Sequence, residues 1–65
     1  MTIAEIKRRI AHIKSIRYDD EGAHVAEDHL RADVLRAIAD GAANAAAMAK
    51  LALTTDRIAF ERWCA

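Results

Sequence analysis

The fold of this chain is decided by a run of isoleucines in the stretch IAEIKRRIAHI, residues 3–13. The isoleucines recur at spacings of three, four and three residues, at Ile3, Ile6, Ile10 and Ile13. On a helix this spacing forms one narrow apolar seam, which is typical of a helix that packs against a second one. Thr2, followed three residues later by Glu5, has the form of a capping box. We therefore expect a first helix over residues 3–17.

A second helix is predicted over residues 20–40. Its apolar positions recur at helical spacing, at Leu30, Val34, Leu35 and Ile38. Asp19 or Asp20 can cap its start, and Gly41 is the residue expected to end it. Because only a short connection separates the two helices, we expect them to form an antiparallel hairpin with their apolar faces in contact.

The rest of the chain predicts a third helix and a short aromatic C-terminal turn or helix. Asn44 is a suitable cap for an alanine-rich helix over residues 45–54, where small side chains allow close helix approach. A last turn or short helix is expected over residues 56–63. There Phe60 and Trp63 either close the open end of the hairpin, as part of the core, or anchor an interface. The predicted fold class is therefore all-α.

Composition limits the class of protein. The 65 residues make a single small domain, and a core of this size is only marginally stabilising, so we expect a homo-oligomer, in the simplest case a dimer. The formal net charge of +0 gives no overall attraction to nucleic acid or anionic lipid. The chain has one cysteine, no apolar signal-peptide core and no apolar run of the roughly 20 residues that span a bilayer. We expect a cytoplasmic protein.

A cluster of polar side chains interrupts the apolar stripe of the second helix. Its members lie at positions i, i+3, i+4 and i+7, namely His24, Glu27, Asp28 and Arg31. Glu27 and Arg31 share the stripe of the aliphatic residues, and ionisable groups are expensive to bury unless they are paired. The favoured interpretation of this polar cluster is a salt-bridge network, with Glu27 bound to Arg31 and Asp28 bound to a basic residue of the first helix.

Other interpretations of the reactive and charged residues stay open. Imidazole and carboxylate at helical spacing can share a divalent cation, so His24, Glu27 and Asp28 are secondary candidates for a metal or acid–base site. The basic run at residues 7–9 could contact nucleic acid, but no aromatic residue is interleaved with it to stack on bases. Cys64 has no histidine near it in sequence to act as a base, so we expect a structural thiol.

The block HVAEDHLRADVLRAIA at residues 24–39, with the closing FERWC at residues 60–64, resembles a group of short uncharacterised proteins encoded by actinobacteria and their phages. The resemblance covers residues 13–65 and implies a bacterial or phage source. The resemblance implies no function for this chain, because the proteins of the group are uncharacterised. A second histidine often stands in that group where this chain has Arg31, so a site that needs two histidines on this face lacks one of them here.

These features favour a small non-enzymatic helical protein that works by binding another protein, as a homodimer or with an unidentified protein partner. We expect no catalytic residue, no cofactor, and neither a membrane nor a nucleic acid as partner. The first alternative is a metal-dependent or acid–base site on the helix face of His24, Glu27 and Asp28. The second alternative is a nucleic-acid-associated regulator that uses the basic first helix.

Overall fold

The computed structural model describes residues 1–62, and the described chain is all-helical, as predicted. It contains α1 (Ile3–Ser15), α2 (Asp20–Ala39) and α3 (Ala45–Leu53), followed by a 3₁₀ turn at Thr54–Arg57. α2 contacts both α1 and α3, and α1 also contacts α3, so the helices share one core. None of the helices within residues 1–62 is long and apolar enough to cross a membrane.

α1 begins as its capping signal predicts and ends two residues earlier than expected. Thr2 Oγ1 accepts a hydrogen bond of 3.1 Å from the Glu5 N–H. At the other end, Arg17 Nη1 donates to the Lys14 carbonyl at 2.7 Å. This side chain satisfies one of the last carbonyls of the helix, and the chain turns at residues 16–18.

Both ends of α2 are set by residues that the sequence pattern singles out. Asp19 is the N-cap, and its Oδ1 accepts a hydrogen bond of 3.1 Å from the Gly22 N–H. Gly41 follows the helix with a φ of +95°, and the Ala42 N–H donates back to the Ala37 carbonyl at 3.1 Å. Glycine adopts this left-handed conformation without strain. The helix accordingly ends one residue before the predicted boundary.

The end of α3 is controlled by two threonines. Asn44 is the N-cap of α3 as predicted, although its side chain makes no capping hydrogen bond. The hydroxyl groups of Thr54 and Thr55 donate to the carbonyls of Leu51 and Ala52, at 2.6 and 3.1 Å. Hydroxyl groups that bond to the preceding turn compete with the backbone ladder of a helix. The α-helix therefore tightens into the 3₁₀ turn at this point.

The prediction of a helical or aromatic turn over residues 56–63 is wrong for the part that the structure describes. After the 3₁₀ turn the backbone becomes extended at Ile58, with φ −81° and ψ 124°. Residues 58–62, here termed the tail, continue without helical structure. The two preceding threonines have already ended the helix, and the tail is held by side-chain contacts instead. Trp63 and Cys64 lie outside the described residues.

The core is built from the isoleucine seam of α1 and the apolar stripe of α2. Its buried members are Ile6, Ile10 and Ile13 of α1, Ala23, Leu30 and Val34 of α2, Met48 and Ala52 of α3, and Ile58 of the tail. The prediction that Leu35 belongs to this face is wrong, because Leu35 is 66% exposed. Val34 and Leu35 are neighbours in sequence and point about 100° apart on a helix, and here Val34 faces the core while Leu35 points to solvent.

Candidate functional site

The polar cluster of α2 centres on a buried carboxylate. Glu27 is 1% exposed and takes its place among the buried positions of α2, between Ala23 and Leu30. A buried carboxylate needs a partner of opposite charge, because removing an ion from water is expensive. Two guanidinium groups meet it, one from Arg62 and one from Arg31.

Arg62 is the principal partner of Glu27, and it comes from the tail. Its Nε and Nη2 atoms donate to Oε1 and Oε2 of Glu27, both at 2.9 Å. This bidentate geometry is among the strongest that arginine and a carboxylate can form. The same guanidinium donates to the carbonyls of Thr55, Ile58 and Phe60, and lies 3.9 Å from the centroid of the Phe60 ring. Arg62 therefore neutralises Glu27 and also fixes the path of its own segment.

Arg31 links α2 to the 3₁₀ turn. Its Nη2 donates to Asp56 Oδ1 at 2.6 Å and to Thr55 Oγ1 at 2.9 Å. The same nitrogen is 3.7 Å from Glu27 Oε2, so the predicted contact between Glu27 and Arg31 is the longer of the two ion pairs of Glu27. The Arg31 Nε is buried without a hydrogen-bond partner within residues 1–62.

His24 is buried beside Glu27 in α2, and Asp28 extends the cluster towards solvent. His24 Nε2 is 3.4 Å from Asp28 Oδ2, and the Asp28 side chain is 63% exposed. Within the described chain Asp28 contacts His24 in place of the expected basic residue of α1. The carboxylate that does reach α1 is Asp33, which accepts a hydrogen bond of 2.7 Å from Arg9. The cluster therefore has a buried side at Glu27 and a solvent side at Asp28.

The surrounding cations keep Glu27 ionised. Burial by itself raises the pKa of Glu27, but hydrogen bonding by Arg62 and the positive charges of Arg31 and Arg62 bring the pKa below its usual value. Glu27 in turn raises the pKa of Arg62. A general acid or base works best when its pKa is close to the working pH. These neighbours therefore disfavour an acid–base role for Glu27.

The cluster also offers little to a metal ion. Within residues 1–62, no group of three or more His, Cys, Asp or Glu side chains is placed to hold a metal ion. Both oxygens of Glu27 lie against the guanidinium of Arg62, whose positive charge repels a divalent cation. His24 and Asp28 alone would supply two ligands, fewer than the four of a structural zinc site.

Sequence reasoning missed the partners of the cluster that lie in the turn and the tail. Thr55 and Asp56 are 24 and 25 positions from Arg31, and Arg62 is 35 positions from Glu27. Helical periodicity carries no information at such separations. The sequence feature that could have pointed to these partners is the carboxylate of Glu27 on an apolar stripe, because a buried carboxylate requires a cation from somewhere in the chain.

Phe60, the first of the two predicted aromatic anchors, belongs to the periphery of the core. It is half-buried and packs against the core cluster, with the Arg62 guanidinium stacked over its ring. Trp63, the second predicted anchor, lies outside the described residues. The aromatic tail residue that the structure does describe is thus part of the fold.

A second surface feature is an apolar groove between α2 and α3, here termed the α2/α3 groove. Its volume is about 220 Å³. It is lined by Arg31, Val34, Leu35 and Ile38 of α2 and by Ala49, Ala52 and Leu53 of α3. Leu35 and Leu53 are 66% and 57% exposed. Leu35 is predicted from its spacing to contribute to helix packing, and the structure places it at the surface together with Leu53.

Comparison with models of protein families, with curated proteins and with solved structures finds no significant match to this chain. Function is therefore inferred from the surfaces, contacts and charges of the molecule itself.

Proposed function

We propose that this chain is a small non-enzymatic helical protein-binding module that acts as a homodimer through the α2/α3 groove. The observation that carries the proposal is the exposure of two leucines on opposite helices of the groove, 66% for Leu35 and 57% for Leu53. Large aliphatic side chains exposed together are typical of interaction sites. Arg31 is the one charged residue of the lining within residues 1–62, and Asp56 meets its charge at 2.6 Å.

A second copy of the chain is the occupant that suits this groove. The lining includes the small side chains of Ala49 and Ala52, and the volume of about 220 Å³ leaves room for an aliphatic side chain. A two-fold axis beside the groove would place Leu35 of each copy against the groove of the other, which is the self-complementary contact of an isologous dimer. A domain with so small a core also gains stability when association buries further apolar surface.

We also propose that α1 and α2 form the antiparallel hairpin expected from the sequence. The short connection at residues 16–19 supports it, and so does the hydrogen bond of 2.7 Å between Arg9 of α1 and Asp33 of α2. This contact joins the middle of α1 to the second half of the longer helix α2, which is compatible with a reversal of the chain direction between the two helices. In such a hairpin α3 packs across both helices and completes the groove with α2.

The two alternative functions have less support. An acid–base or metal site on the polar cluster conflicts with the guanidinium groups that occupy Glu27. The fold lowers the positive charge that the basic run of α1 can offer to a nucleic acid. Arg9 is bound by Asp33, while Lys7 and Arg8 remain exposed. A heterologous protein partner, a cytoplasmic location and a bacterial or phage origin stay predictions from the sequence.

Sedimentation velocity at micromolar concentrations tests the dimer. We expect the wild type to be dimeric, and Leu35→Lys and Leu53→Lys to be monomeric, because a charge in the contact must be desolvated without a partner. Loss of a central anchor costs about 2 kcal/mol or more, which is a roughly 30-fold weakening of association. Val25→Lys is the matched control, since Val25 is exposed on α2 outside the groove. A wild type that is monomeric and fully helical would contradict the proposal.

A further inference from the structure

A cleft lies between the C-terminal end of α1 and the 3₁₀ turn, on a different surface from the α2/α3 groove. Its volume is about 480 Å³. Six residues line it, namely Lys14, Arg17, Thr54, Arg57, Ile58 and Ala59. Half of this lining is cationic, although the whole chain has a formal net charge of +0. We term it the cationic cleft.

The cations of this cleft are not neutralised by carboxylates of the described chain. Lys14, Arg17 and Arg57 make no ion pair with a carboxylate within residues 1–62. By contrast, Arg9, Arg31, Arg36 and Arg62 are each paired. Asp56, the acidic neighbour of Arg57 in sequence, is bound by Arg31 at 2.6 Å. Three uncompensated positive charges therefore line the cationic cleft, and the other unpaired lysine and arginine side chains within residues 1–62, Lys7, Arg8 and Lys50, lie outside it.

One of the three cations makes hydrogen bonds to neighbouring residues of its own segment. Arg17 is half-buried, and its Nη1 donates to the Lys14 carbonyl at 2.7 Å. Its Nη2 donates to the Tyr18 hydroxyl at 3.0 Å, and the guanidinium lies 4.5 Å from the centroid of the Tyr18 ring. An arginine carries five N–H donors, so these two bonds leave others for a ligand. These contacts orient the guanidinium beside the cleft.

The remaining lining complements an anion that carries an apolar group. Ile58 is buried and, with Ala59, forms an apolar wall beside the cations. The Thr54 hydroxyl already donates to the Leu51 carbonyl at 2.6 Å, so its proton is not available to a ligand. The donors that remain are the two guanidinium groups and the ammonium group, which are the groups that bind phosphate oxygens in proteins.

We propose that the cationic cleft binds the phosphate groups of a small phosphate-bearing molecule, with a diphosphate as the best match to three cations. The volume of about 480 Å³ lies in the range of small-molecule sites, which is about 300–1,000 Å³. The inference is independent of the proposed dimer, because none of these residues lines the α2/α3 groove.

A purely structural role explains only part of the cluster. Lys14 and Arg17 lie at the C-terminal end of α1, where positive side chains stabilise the partial negative charge of a helix end. Arg57 lies in the 3₁₀ turn and has no such role towards α1. The contribution of Arg57 to ligand binding therefore separates the two explanations.

The experiment is a calorimetric titration of the full chain with inorganic pyrophosphate at low ionic strength. We expect saturable binding by the wild type, weaker binding at about 0.15 M salt, and binding of inorganic phosphate that is weaker than that of pyrophosphate. Arg57→Gln and Lys14→Gln should each reduce the affinity about 10-fold or more, because each removes a charged hydrogen-bond donor. Lys50→Gln is the matched control, since Lys50 is an exposed cation of α3 that does not line the cleft.

The unliganded variants are first shown by circular dichroism to fold like the wild type. Absence of pyrophosphate binding to the wild type would overturn the proposal and leave the helix-end role for Lys14 and Arg17. Equal weakening by Lys50→Gln would overturn it as well, because the attraction would then be diffuse.

A short DNA duplex provides the last comparison. If the duplex binds, pyrophosphate does not displace it, and Arg8→Gln weakens it as much as Arg57→Gln, the surface is a nucleic-acid interface and the small-molecule proposal is wrong.

Discussion

Replacing Glu27 with alanine should lower the free energy of unfolding by about 2–3 kcal/mol at neutral pH. The substitution removes the carboxylate and leaves two cations, Arg62 and Arg31, without the acceptor that they share. It also deprives the tail of its main link to α2, since both hydrogen bonds of 2.9 Å between Arg62 and a carboxylate are lost.

The magnitude follows from the burial of the partners. Breaking a fully buried ion pair by removing one member costs about 3–5 kcal/mol. Glu27 is buried, but the side chains of Arg62 and Arg31 are each 33% exposed, so water can partly rehydrate them when the carboxylate is gone. The expected loss is therefore somewhat smaller, about 2–3 kcal/mol. That is a large part of the roughly 3–10 kcal/mol expected for a domain of this length.

The assay is urea unfolding followed by circular dichroism, with Asp33→Ala as the matched control. Asp33 is 43% exposed and pairs with Arg9 and Arg36, whose side chains are 33% and 74% exposed, so the loss of both ion pairs should change stability by about 1 kcal/mol or less. Replacing Glu27 and Arg62 together with apolar residues of similar size should destabilise less than Glu27→Ala, because no buried charge is then stranded. Equal stability of Glu27→Ala and the wild type would refute the reasoning, and so would a double variant less stable than the single one.

Two further predictions concern pH and the end of α2. The pKa of Glu27 is lowered in the folded state, so its contribution is complete above the ordinary carboxylate range and is lost as the pH falls through the folded-state pKa. The urea midpoint of the wild type should accordingly fall more between about pH 6 and about pH 2 than that of Glu27→Gln. Gly41→Ala should reduce stability by about 1 kcal/mol, because Gly41 has a φ of +95°. Gly41→Asn should be less damaging in the same assay, since asparagine tolerates the left-handed region better than alanine.

The local features of the helices could be read from the sequence. The isoleucine seam became the buried face of α1, and the expected caps at Thr2 and Asp19 both accept hydrogen bonds from backbone N–H groups. Gly41 ends α2 because glycine adopts a φ of +95° without strain. This property depends on the glycine alone, so the sequence is enough to predict it. Each of these features depends on residues within one or two turns of each other, and helical spacing describes that range well.

The features that sequence reasoning missed depend on contacts between distant parts of the chain. The sequence pattern places the charged residue Glu27 on an apolar stripe, but it predicts Arg31 as the partner because Arg31 lies one turn away. The shorter ion pair comes from Arg62, 35 positions further along the chain. Leu35 was assigned to the core because its spacing suited a helix face, yet the core accepts only its neighbour Val34. Helical spacing shows which side of a helix is apolar, and tertiary contacts decide which residues of that side are buried.

The bond between Glu27 and Arg62 also determines when this protein can finish folding during its synthesis. Glu27 leaves the ribosome 35 residues before Arg62 does. Until Arg62 emerges, the carboxylate in the middle of α2 lacks its principal cation, and burying it against the other helices is unfavourable. Helices made before Arg62 therefore pack around Glu27 at a cost in free energy, with Arg31 as its nearest cation. The native packing reaches its full stability only when the ribosome has delivered the tail.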